Sequence, residues 1–380
     1  MGDESVALVT YGLSGGGSIK SMLGLARGLR EQSWAVDFVT MHGAGPLRNQ
    51  VPRDVRLIDL AAARVPSRII RLAAYLRRER PRFLISAGEG VNLVALLARR
   101  LAAVPTRTVV TVRNSPAQLP LSRHGWIRRR MHHLSPALYR LADGVVAVSE
   151  GVADELSSVM RLPRAGIDVI YNPVVTPELA TLATQPVEHP WFQPGAPPVI
   201  LGMGRLHPQK DFATLLRAFR ILCQQRRDAR LVILGEGPER AKLEAMARDF
   251  AVGDLVDLPG YVMNPFPYLA HASVFVLCSQ FEGLPGALIQ AMACGCPVVS
   301  TDCPSGPREI LENGRYGPLV SVGDAEALAE AVLQVLKSPT PSEDLRQKAN
   351  AFLFERSVGQ YQALFARILA PKRHRKLRRR

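Results

Sequence analysis

The sequence predicts an α/β fold made of two doubly wound domains that face each other across a cleft. Short, continuous apolar runs alternate with helical patterns along most of the chain, as is typical of a parallel sheet covered on both faces. The alternation stops at a proline-rich segment near the middle and then restarts. The length of 380 residues suits two domains of roughly 150–200 residues each better than a single core.

The first domain is predicted over residues 1–185. Its opening run, VALVTYG (6–12), ends in glycine, and a helical stretch over 19–32 follows it. Further strands are predicted at 36–40, 83–88, 106–112 and 144–149. Further helices are predicted at 68–79, 91–103 and 127–142.

Six prolines between Thr176 and Pro198 prevent regular structure and predict a linker over 186–198. The second domain is then predicted over 199–342. Its strands are predicted at 198–204, 231–237, 274–279 and 297–301, and its helices at 211–226, 238–250, 286–294, 306–312 and 324–337. A C-terminal helix over 343–370 is expected to cross back to the first domain, with a polybasic tail over 371–380.

The composition is that of a globular protein, since 47% of the residues are hydrophobic and 21% are charged. No apolar stretch approaches the roughly 18 residues of a membrane span, and the N-terminus reads as a strand and not as a signal peptide. We therefore expect a cytoplasmic protein. The five cysteines lack zinc-ligand spacing, and an odd number fits reduced, buried thiols.

The net charge of +15 is unevenly distributed. Residues 1–190 hold 24 Lys and Arg against 15 Asp and Glu, whereas residues 191–370 hold 17 against 18. The last ten residues add seven more cations. A uniformly basic nucleic-acid-binding protein would not leave half of its mass neutral, and no basic strand interleaved with aromatic residues is present, so we expect no nucleic-acid partner.

Two loops that follow predicted strands carry residues suited to an anionic ligand. Glu282-Gly283-Leu284-Pro285-Gly286 leads into a helix whose free N–H groups and dipole attract a diphosphate-sized anion. Glu282 and Gln290 offer polar groups for hydroxyls. The second loop delivers Arg205 and Lys210, which together form a candidate diphosphate clamp. Ligands of open α/β sheets bind beyond the carboxyl ends of the strands, so these loops are expected to line the cleft.

Four segments of the second half form a recognisable series, and three segments of the first half accompany it. The series is GRL with QK (204–206, 209–210), LGEGPER (234–240), EGLPG (282–286) and PVVSTDCPSGPREI (297–310). The first half contributes Gly15–Gly17, VAVSE (146–150) and VIYNPV (169–174). Together they resemble the large family 4 of retaining glycosyltransferases. The resemblance spans nearly the whole chain, and it implies the GT-B fold of two Rossmann-like domains.

The resemblance implies roles for individual residues. Arg205 and Lys210 are expected to bind the donor diphosphate, and Glu282 to lie beside the transferred sugar; these three are the predicted catalytic residues. Gln290 stands where the family has a glutamate that binds ribose hydroxyls. The remaining predicted donor-binding residues are Gly16, Gly17, Gly204, Gly235, Tyr261, Val262, Gly283, Leu284, Pro285 and Gly286.

The acceptor side is expected in the first domain. Its candidate residues are Gly15, Glu89, Arg113 and Asn114. Many family members have a histidine after the strand that corresponds to 108–112, but this chain has TVRNSP there, so the sequence assigns no general base. His132 and His133 are expected on the surface.

The implied reaction moves a hexose or N-acetylhexosamine from a nucleotide-sugar to an acceptor hydroxyl with retention. UDP is the preferred nucleotide and GDP the next. The acceptor is expected to be a lipid-linked, lipopolysaccharide or exopolysaccharide glycan. The resemblance implies that no metal or other cofactor is needed, and the lack of an Asp-x-Asp motif disfavours a metal-dependent GT-A mechanism. A nucleotide-sugar epimerase of similar fold, an RNA-binding protein and a catalytically silent relative remain alternatives.

Clustered arginines in the first domain predict peripheral contact with the inner face of an anionic membrane, where lipid-linked acceptors lie. A solvated helix face with a disordered tail is the alternative. The clustered cations are Arg64, Arg68, Arg71, Arg77, Arg78, Arg80, Arg82, Arg123, Arg128, Arg129, Arg130 and those of the tail from Lys372 to Arg380.

Overall fold

The computed structural model describes residues 4–14, 16–115, 135–193 and 195–370. Within these residues the chain forms two parallel sheets, one of seven strands and one of six, with helices packed against them. The α/β class and the two doubly wound units predicted from the sequence are therefore confirmed. The predicted helix over 127–142 lies partly outside the described residues. Gly15, His132, His133 and the C-terminal tail lie wholly outside them.

The first sheet has the strand order β3-β2-β1-β4-β5-β6-β7, and neighbouring strands are parallel. Alternate residues of β1 face two different cores: Val6 and Leu8 pack on one side, Ala7 and Val9 on the other. This arrangement explains the continuous apolar run, because both faces of the strand are buried. The strands are β1 (Ser5–Gly12), β2 (Ala35–His42), β3 (Arg56–Asp59), β4 (Phe83–Ala87), β5 (Arg107–Val112), β6 (Gly144–Ala147) and β7 (Ile167–Val169).

The helices of the first sheet connect successive strands. The Ser149 hydroxyl caps the helix after β6 by accepting a hydrogen bond from the N–H of Val152 at 3.2 Å. A short helix precedes the second sheet. The helices are α1 (Gly17–Glu31), α2 (Val65–Glu79), α3 (Glu89–Ala102), α4 (Glu150–Met160) and α5 (Leu179–Ala183).

The second sheet has the order β10-β9-β8-β11-β12-β13, so the chain reverses direction across the sheet between β8 and β11. Its strands are β8 (Val199–Met203), β9 (Arg230–Leu234), β10 (Val256–Gly260), β11 (Val274–Leu277), β12 (Val298–Thr301) and β13 (Leu319–Val320). Its helices are α6 (Phe212–Leu222), α7 (Arg240–Asp249), α8 (Phe266–His271), α9 (Gly286–Ala293), α10 (Pro307–Ile310) and α11 (Ala325–Lys337).

The C-terminal stretch predicted as one helix consists of two, α12 (Ser342–Ala349) and α13 (Phe354–Leu369). α12 stays with the second sheet and packs against α9, whereas α13 crosses back and packs against α1. The contact with α1 requires glycine, because a Cβ on Gly28 would lie 2.3 Å from Val358 Cγ2. The stacking of Phe365 on Phe83, with ring centroids 4.2 Å apart, anchors α13 in the first core.

The two chain crossings between the sheets lie side by side. Val175, on the way to the second sheet, forms a parallel bridge with Leu353, on the way back. The N–H of Phe354 donates to Val175 O at 2.9 Å, and the N–H of Val175 donates to Phe352 O at 3.1 Å. The crossings therefore form one connected strip and not two independent hinges.

No helix in the described ranges is both long enough and apolar enough to cross a membrane. The carboxyl ends of the strands of both sheets lead into loops that touch each other. A Cβ added to Gly283, after β11, would lie 2.3 Å from the carbonyl oxygen of Arg113, after β5. The fold thus brings the functional loops of the two domains together at one place.

Candidate functional site

A lysine–glutamate pair lies at the point where the second sheet reverses direction. Lys210 ends the short 3-10 turn Pro208–Lys210 after β8, and Glu282 follows the adjacent strand β11. The Lys210 ammonium contacts Glu282 Oε1, and the Ser279 hydroxyl donates to the same oxygen at 2.7 Å. Glu282 is only 7% exposed, so its charge is compensated inside the protein by Lys210.

The loops that carry this pair are joined to each other by hydrogen bonds. Gln209 Nε2 donates to Phe281 O at 2.8 Å, and the N–H of Gln280 donates to Gln209 O at 2.8 Å. The Cys278 thiol donates to Lys210 O at 3.0 Å, and burial raises the pKa of that thiol well above its usual range. The pair is therefore held by backbone contacts, and Cys278 serves as a buried donor and not as a nucleophile.

Glu282 offers one oxygen to a ligand. Its Oε1 already accepts hydrogen bonds from Lys210 and Ser279. No residue in the described part of the chain donates to Oε2, and this atom is not among the buried unpartnered atoms. Glu282 can therefore keep its internal contacts through Oε1 while Oε2 accepts a hydrogen bond from a hydroxyl in the cleft.

Arg205 supplies a second cation close to Lys210 in sequence. Its side chain is exposed, and no described residue forms an ion pair or hydrogen bond with its guanidinium. An exposed guanidinium without an internal partner is available to bind a phosphate through two parallel N–H groups.

Three glycines let the loops after β8, β9 and β10 lie in direct backbone contact. A Cβ on Gly235, whose φ is 143°, would lie 1.9 Å from the carbonyl oxygen of Gly204. The N–H of Gly235 donates to Gly260 O at 2.8 Å. A side chain at position 235 would push these loops apart, so this glycine has a packing requirement of its own.

The loop after β10 faces helix α1 of the first domain. Tyr261 is 57% exposed, and Lys20 Nζ lies 5.7 Å from the centroid of its ring. Val262 beside it is half-buried. Gly16 and Gly17, at the start of α1, have no other atoms within 4 Å of an ideal Cβ, so they border open space. The start of α1 therefore borders open space, and Lys20 in its first turn contacts the loop after β10.

Helix α9 begins at Gly286, shortly after Glu282 in the chain. The first hydrogen bonds of the helix run from the N–H groups of Leu288 and Ile289 to Pro285 O. The N–H groups of the residues before Leu288 in the helix therefore have no partner within it. No side chain caps this helix start. Leu284 and Pro285 are buried, while Gly286 and Gln290 are half-buried. The helix start is thus open to an anion.

Gly283 is fixed by the first domain. In addition to its contact with the Arg113 carbonyl, its own carbonyl oxygen accepts a hydrogen bond from Ser149 Oγ at 2.7 Å. The Arg113 side chain points away from this contact, because its Nη1 donates to Asn172 Oδ1 at 2.7 Å and its Nη2 contacts Met22 Sδ at 3.1 Å. Burial lowers the pKa of Arg113. Arg113 and Asn114 therefore meet the donor loop through their backbone.

Family models match both halves of the chain. A model of Glycosyltransferase Family 4 matches residues 15–177, and a model of Glycosyl transferases group 1 matches residues 188–352. Together they account for most of both sheets. The chain belongs to the family 4-like glycosyltransferases of the GT-B fold. The resemblance deduced from the sequence is confirmed, and so are the glycosyltransferase class and the fold.

Individual relatives of this glycosyltransferase act on glycans. It is 29% identical, over 68% of both chains, to an N-acetylgalactosamine-N,N'-diacetylbacillosaminyl-diphospho-undecaprenol 4-alpha-N-acetylgalactosaminyltransferase from Campylobacter jejuni. It is 30% identical to a lipopolysaccharide core biosynthesis glycosyltransferase from Rhizobium meliloti, over 59% of this chain and 61% of that protein.

Solved structures share the fold across nearly the whole glycosyltransferase. A glycosyltransferase from Rickettsia africae is 16% identical, with a TM-score of 0.79 over 96% of this chain and 98% of that one. An Anabaena protein, HepE, solved in complex with UDP, is 17% identical, with a TM-score of 0.77 over 96% and 100% of the two chains. At this identity the likeness establishes the fold alone.

Two cavities of the glycosyltransferase lie outside the predicted donor loops. The larger, of about 790 Å³, lies between the start of α4 and the segment 302–313. Its carboxylates have partners of their own, such as Arg164 for Glu150 and Arg308 for Asp302. The smaller, of about 470 Å³, lies in the first domain and contains Glu89. The predicted donor loops instead carry Arg205, which has no partner among the described residues, and Lys210, which pairs with Glu282. These two cations suit a diphosphate better than the larger cavity does.

The structure brings together most residues predicted for the donor side. Lys210 and Glu282 are in contact, and helix α9 begins at Gly286, shortly after Glu282 in the chain. Sequence reasoning missed Ser279, Lys20 and Tyr11, because single serine, lysine and tyrosine residues outside the family segments carry no motif of their own. Arg68 was named only as one of the clustered cations expected to face a membrane. Gly15, Arg123, Arg128, Arg129 and Arg130 lie outside the described residues.

Proposed function

We propose that this glycosyltransferase moves a hexose or N-acetylhexosamine from a UDP-sugar to a hydroxyl of a lipid-linked or lipopolysaccharide-type glycan. The observation that carries the proposal is the joint position of Lys210, Glu282 and the open start of α9 where β8 and β11 diverge. Ligands of doubly wound sheets bind at such reversal points. The names of the undecaprenol-linked and lipopolysaccharide relatives support the acceptor class.

Arg205, Lys210 and the N–H groups at the start of α9 are proposed to hold the donor diphosphate. As the bond between the anomeric carbon and phosphate breaks, negative charge develops on the leaving diphosphate, and preorganised cations and N–H groups stabilise it. An ammonium has three N–H donors, so Lys210 can keep its contact with Glu282 while it binds a phosphate oxygen.

The remaining donor contacts are proposed around this centre. Glu282 Oε2 accepts a hydrogen bond from a hydroxyl of the transferred sugar, and Gln290 takes the ribose. The backbone of Tyr261 and Val262 borders the base, with Gly204 and Gly235 beneath the diphosphate. Gly16 and Gly17 close the site from the first domain, and the residues from Gly283 to Pro285 position α9.

Retention of the anomeric configuration and independence of metal ions are further parts of the proposal. The family resemblance supports retention, and the NMR coupling of the product's anomeric proton tests it. No group of three or more His, Cys, Asp or Glu suited to a metal ion occurs in the described ranges. Transfer that survives EDTA would support a metal-free reaction, whereas loss of transfer that added Mg²⁺ restores would overturn it.

Contact with a membrane is proposed through the outward face of α2. Ile70 is 60% exposed and Val65 is 37% exposed, and Arg71 and Arg78 are exposed on the same helix. An apolar side chain surrounded by cations is the pattern of a surface that rests on anionic lipid headgroups.

Replacement of Lys210 by alanine tests the donor site. We expect transfer to fall by about a hundredfold or more, as for loss of one preorganised donor to a developing charge. The matched control is Lys242→Ala, because Lys242 is also paired with a glutamate but lies on the exposed surface of α7. Product formation from a panel of UDP- and GDP-sugars is the measurement.

Three outcomes would contradict the proposal. Equal transfer by Lys210→Ala and the wild type would show that the clamp is wrongly assigned. Interconversion of the donor sugar without any acceptor would favour an epimerase. Absence of thermal stabilisation by every nucleotide-sugar would favour a silent relative, since a true donor at 100 times its dissociation constant stabilises by about 2.7 kcal/mol.

A further inference from the structure

The first turn of α1 contains a lysine that forms no ion pair with any described residue. Lys20 is exposed, and its ammonium lies 5.7 Å from the centroid of the Tyr261 ring in the loop after β10. Tyr261 is itself 57% exposed, and a cation–π contact in water is weak. The Lys20 ammonium is therefore available to a stronger partner that binds between α1 and the second domain.

The position of Lys20 in its helix suits a bound anion. The first turn of α1 contains no acidic residue, and no side chain caps the start of the helix. The N–H of Lys20 donates to Gly16 O at 3.2 Å, so the N–H groups before it in the helix have no partner within it and form its positive end. A lysine beside the positive end of a helix is electrostatically unfavourable until an anion lies there.

The Lys20 side chain can reach the place where the donor diphosphate is proposed to bind. Side chains of an α-helix lean toward its N-terminus, so Lys20 extends toward Gly16 and Gly17. These two glycines border open space and close the proposed donor site from the first domain. The rise from Gly17 to Lys20 is about 4.5 Å along the helix axis, which is shorter than an extended lysine side chain.

The proposed diphosphate site otherwise has little free positive charge. The loops after β8 and β11 contain Arg205 and Lys210, and Lys210 already pairs with Glu282. Arg205 is thus the cation of these loops without a partner among the described residues. A nucleotide-sugar carries two negatively charged phosphate groups, and the leaving nucleoside diphosphate gains a further negative charge. A cation from the first domain would balance part of this charge.

We propose that Lys20 binds the donor diphosphate from the first domain, opposite Arg205 and Lys210. The inference rests on the proposed donor site and adds a binding residue that the family segments do not include. Because Lys20 belongs to one domain and Arg205 to the other, a diphosphate held by both also draws α1 toward the second domain. Donor binding then favours the closed arrangement of the two domains.

Lys20→Met tests the proposal, because methionine keeps an unbranched apolar side chain of good helix propensity and removes the charge. The dissociation constant for UDP should rise by about tenfold or more, as expected for the loss of one charge-assisted hydrogen bond. Isothermal titration calorimetry at low and at high NaCl measures the dissociation constant. The affinity of the wild type should fall more steeply with salt than that of Lys20→Met, since salt screens the ionic contact that the variant lacks.

Lys337→Met is the matched control. Lys337 is also an exposed lysine near a helix end, in the last turn of α11, and no described residue forms an ion pair with it. Its replacement should leave both the affinity for UDP and the salt dependence at the values of the wild type. The melting temperature without UDP should be the same in both variants and the wild type, because neither lysine contributes a buried contact.

The outcomes separate this inference from the proposed function. An affinity of Lys20→Met for UDP equal to that of the wild type would overturn the role of Lys20. A loss of affinity with an unchanged salt dependence, or an equal loss in Lys337→Met, would also overturn it, since either result would indicate a general effect on the fold. A wild type that binds neither UDP nor GDP would instead overturn the proposed function.

Discussion

The most informative residue of the donor site is Ser279, which carries no sequence signal. It is fully buried, its hydroxyl donates to Glu282 Oε1, and its own carbonyl accepts from Thr301 Oγ1 at 2.7 Å. Ser279 and Lys210 thus fix the same carboxylate oxygen from two sides. We interpret Ser279 as a positioning residue that orients Oε2 toward the cleft.

Replacement of Ser279 by alanine should lower kcat for sugar transfer by roughly tenfold with little change in donor KM. A hydrogen bond to a charged group is worth about 1.5–3 kcal/mol, and its loss would let the carboxylate rotate. Ser300→Ala is the matched control, since Ser300 is equally buried on β12 but donates to a backbone carbonyl. An equal loss in both variants would indicate a folding defect and not a positioning role.

Sequence motifs anticipated the charged residues of the site but not how they are held. Arg205, Lys210 and Glu282 are candidates because each lies in a loop after an apolar run, and the family resemblance implies their roles. The pairing of Lys210 with Glu282 depends on the tertiary structure. The two residues are far apart in the chain and meet only because β8 and β11 are neighbours in the sheet. Gly283 was attributed to ligand approach, and the structure adds a contact with the Arg113 carbonyl. The ligand roles of these residues stay predictions.

At the scale of elements, the central strands were predictable and the edge strands were not. β1, β4, β8 and β11 are buried on both faces and therefore appear as continuous apolar runs. The strands β3, β7, β10 and β13 have two to five residues with half-exposed positions, and β10 contains Pro259. Their pairing depends on a neighbouring strand that sequence periodicity does not reveal.

Helix α2 supplies a prediction at the same scale. Ile70→Glu should lower binding to vesicles of phosphatidylcholine with phosphatidylglycerol by about tenfold or more, because it removes apolar burial and adds like-charge repulsion. Val322→Glu is the control, since Val322 is 40% exposed on the second domain. Co-sedimentation measures the bound fraction. Equal binding by wild type and Ile70→Glu, or equal binding to purely zwitterionic vesicles, would show that α2 is an ordinary solvated surface.

For the whole molecule, the two domains meet through a set of polar contacts on one side of the second sheet. Glu155 of α4 accepts from Ser305 Oγ at 2.9 Å, and Ser149 donates to Gly283. Glu309 accepts from the N–H of Glu150 at 3.0 Å and from the Tyr171 hydroxyl at 2.6 Å. Burial of the Tyr171 hydroxyl, together with its hydrogen bond to the Glu309 carboxylate, raises the pKa of Tyr171. The second-domain residues in these contacts lie in the segments that follow β11 and β12.

At the opposite edge of the second sheet the segment after β10 meets α1 through a weaker contact. Tyr261 follows the edge strand β10, and it meets the first domain through Lys20 at 5.7 Å from its ring. An exposed cation–π contact of this kind contributes about 0.5–1 kcal/mol. A closing motion over the donor would therefore pivot near Glu309 and shorten the distance between α1 and the loop after β10.

Removal of Glu309 tests this pivot. Glu309→Ala removes the acceptor shared by Tyr171 and the start of α4, so the domains should separate more easily and the donor KM should rise about tenfold, the equivalent of one charged hydrogen bond. Glu312→Ala is the control, because Glu312 pairs with Lys348 and Arg315 inside the second domain. Small-angle X-ray scattering with and without UDP should show a larger change in radius of gyration for Glu309→Ala than for Glu312→Ala. Identical scattering and identical donor KM in the two variants would show that the domains are not held at this contact.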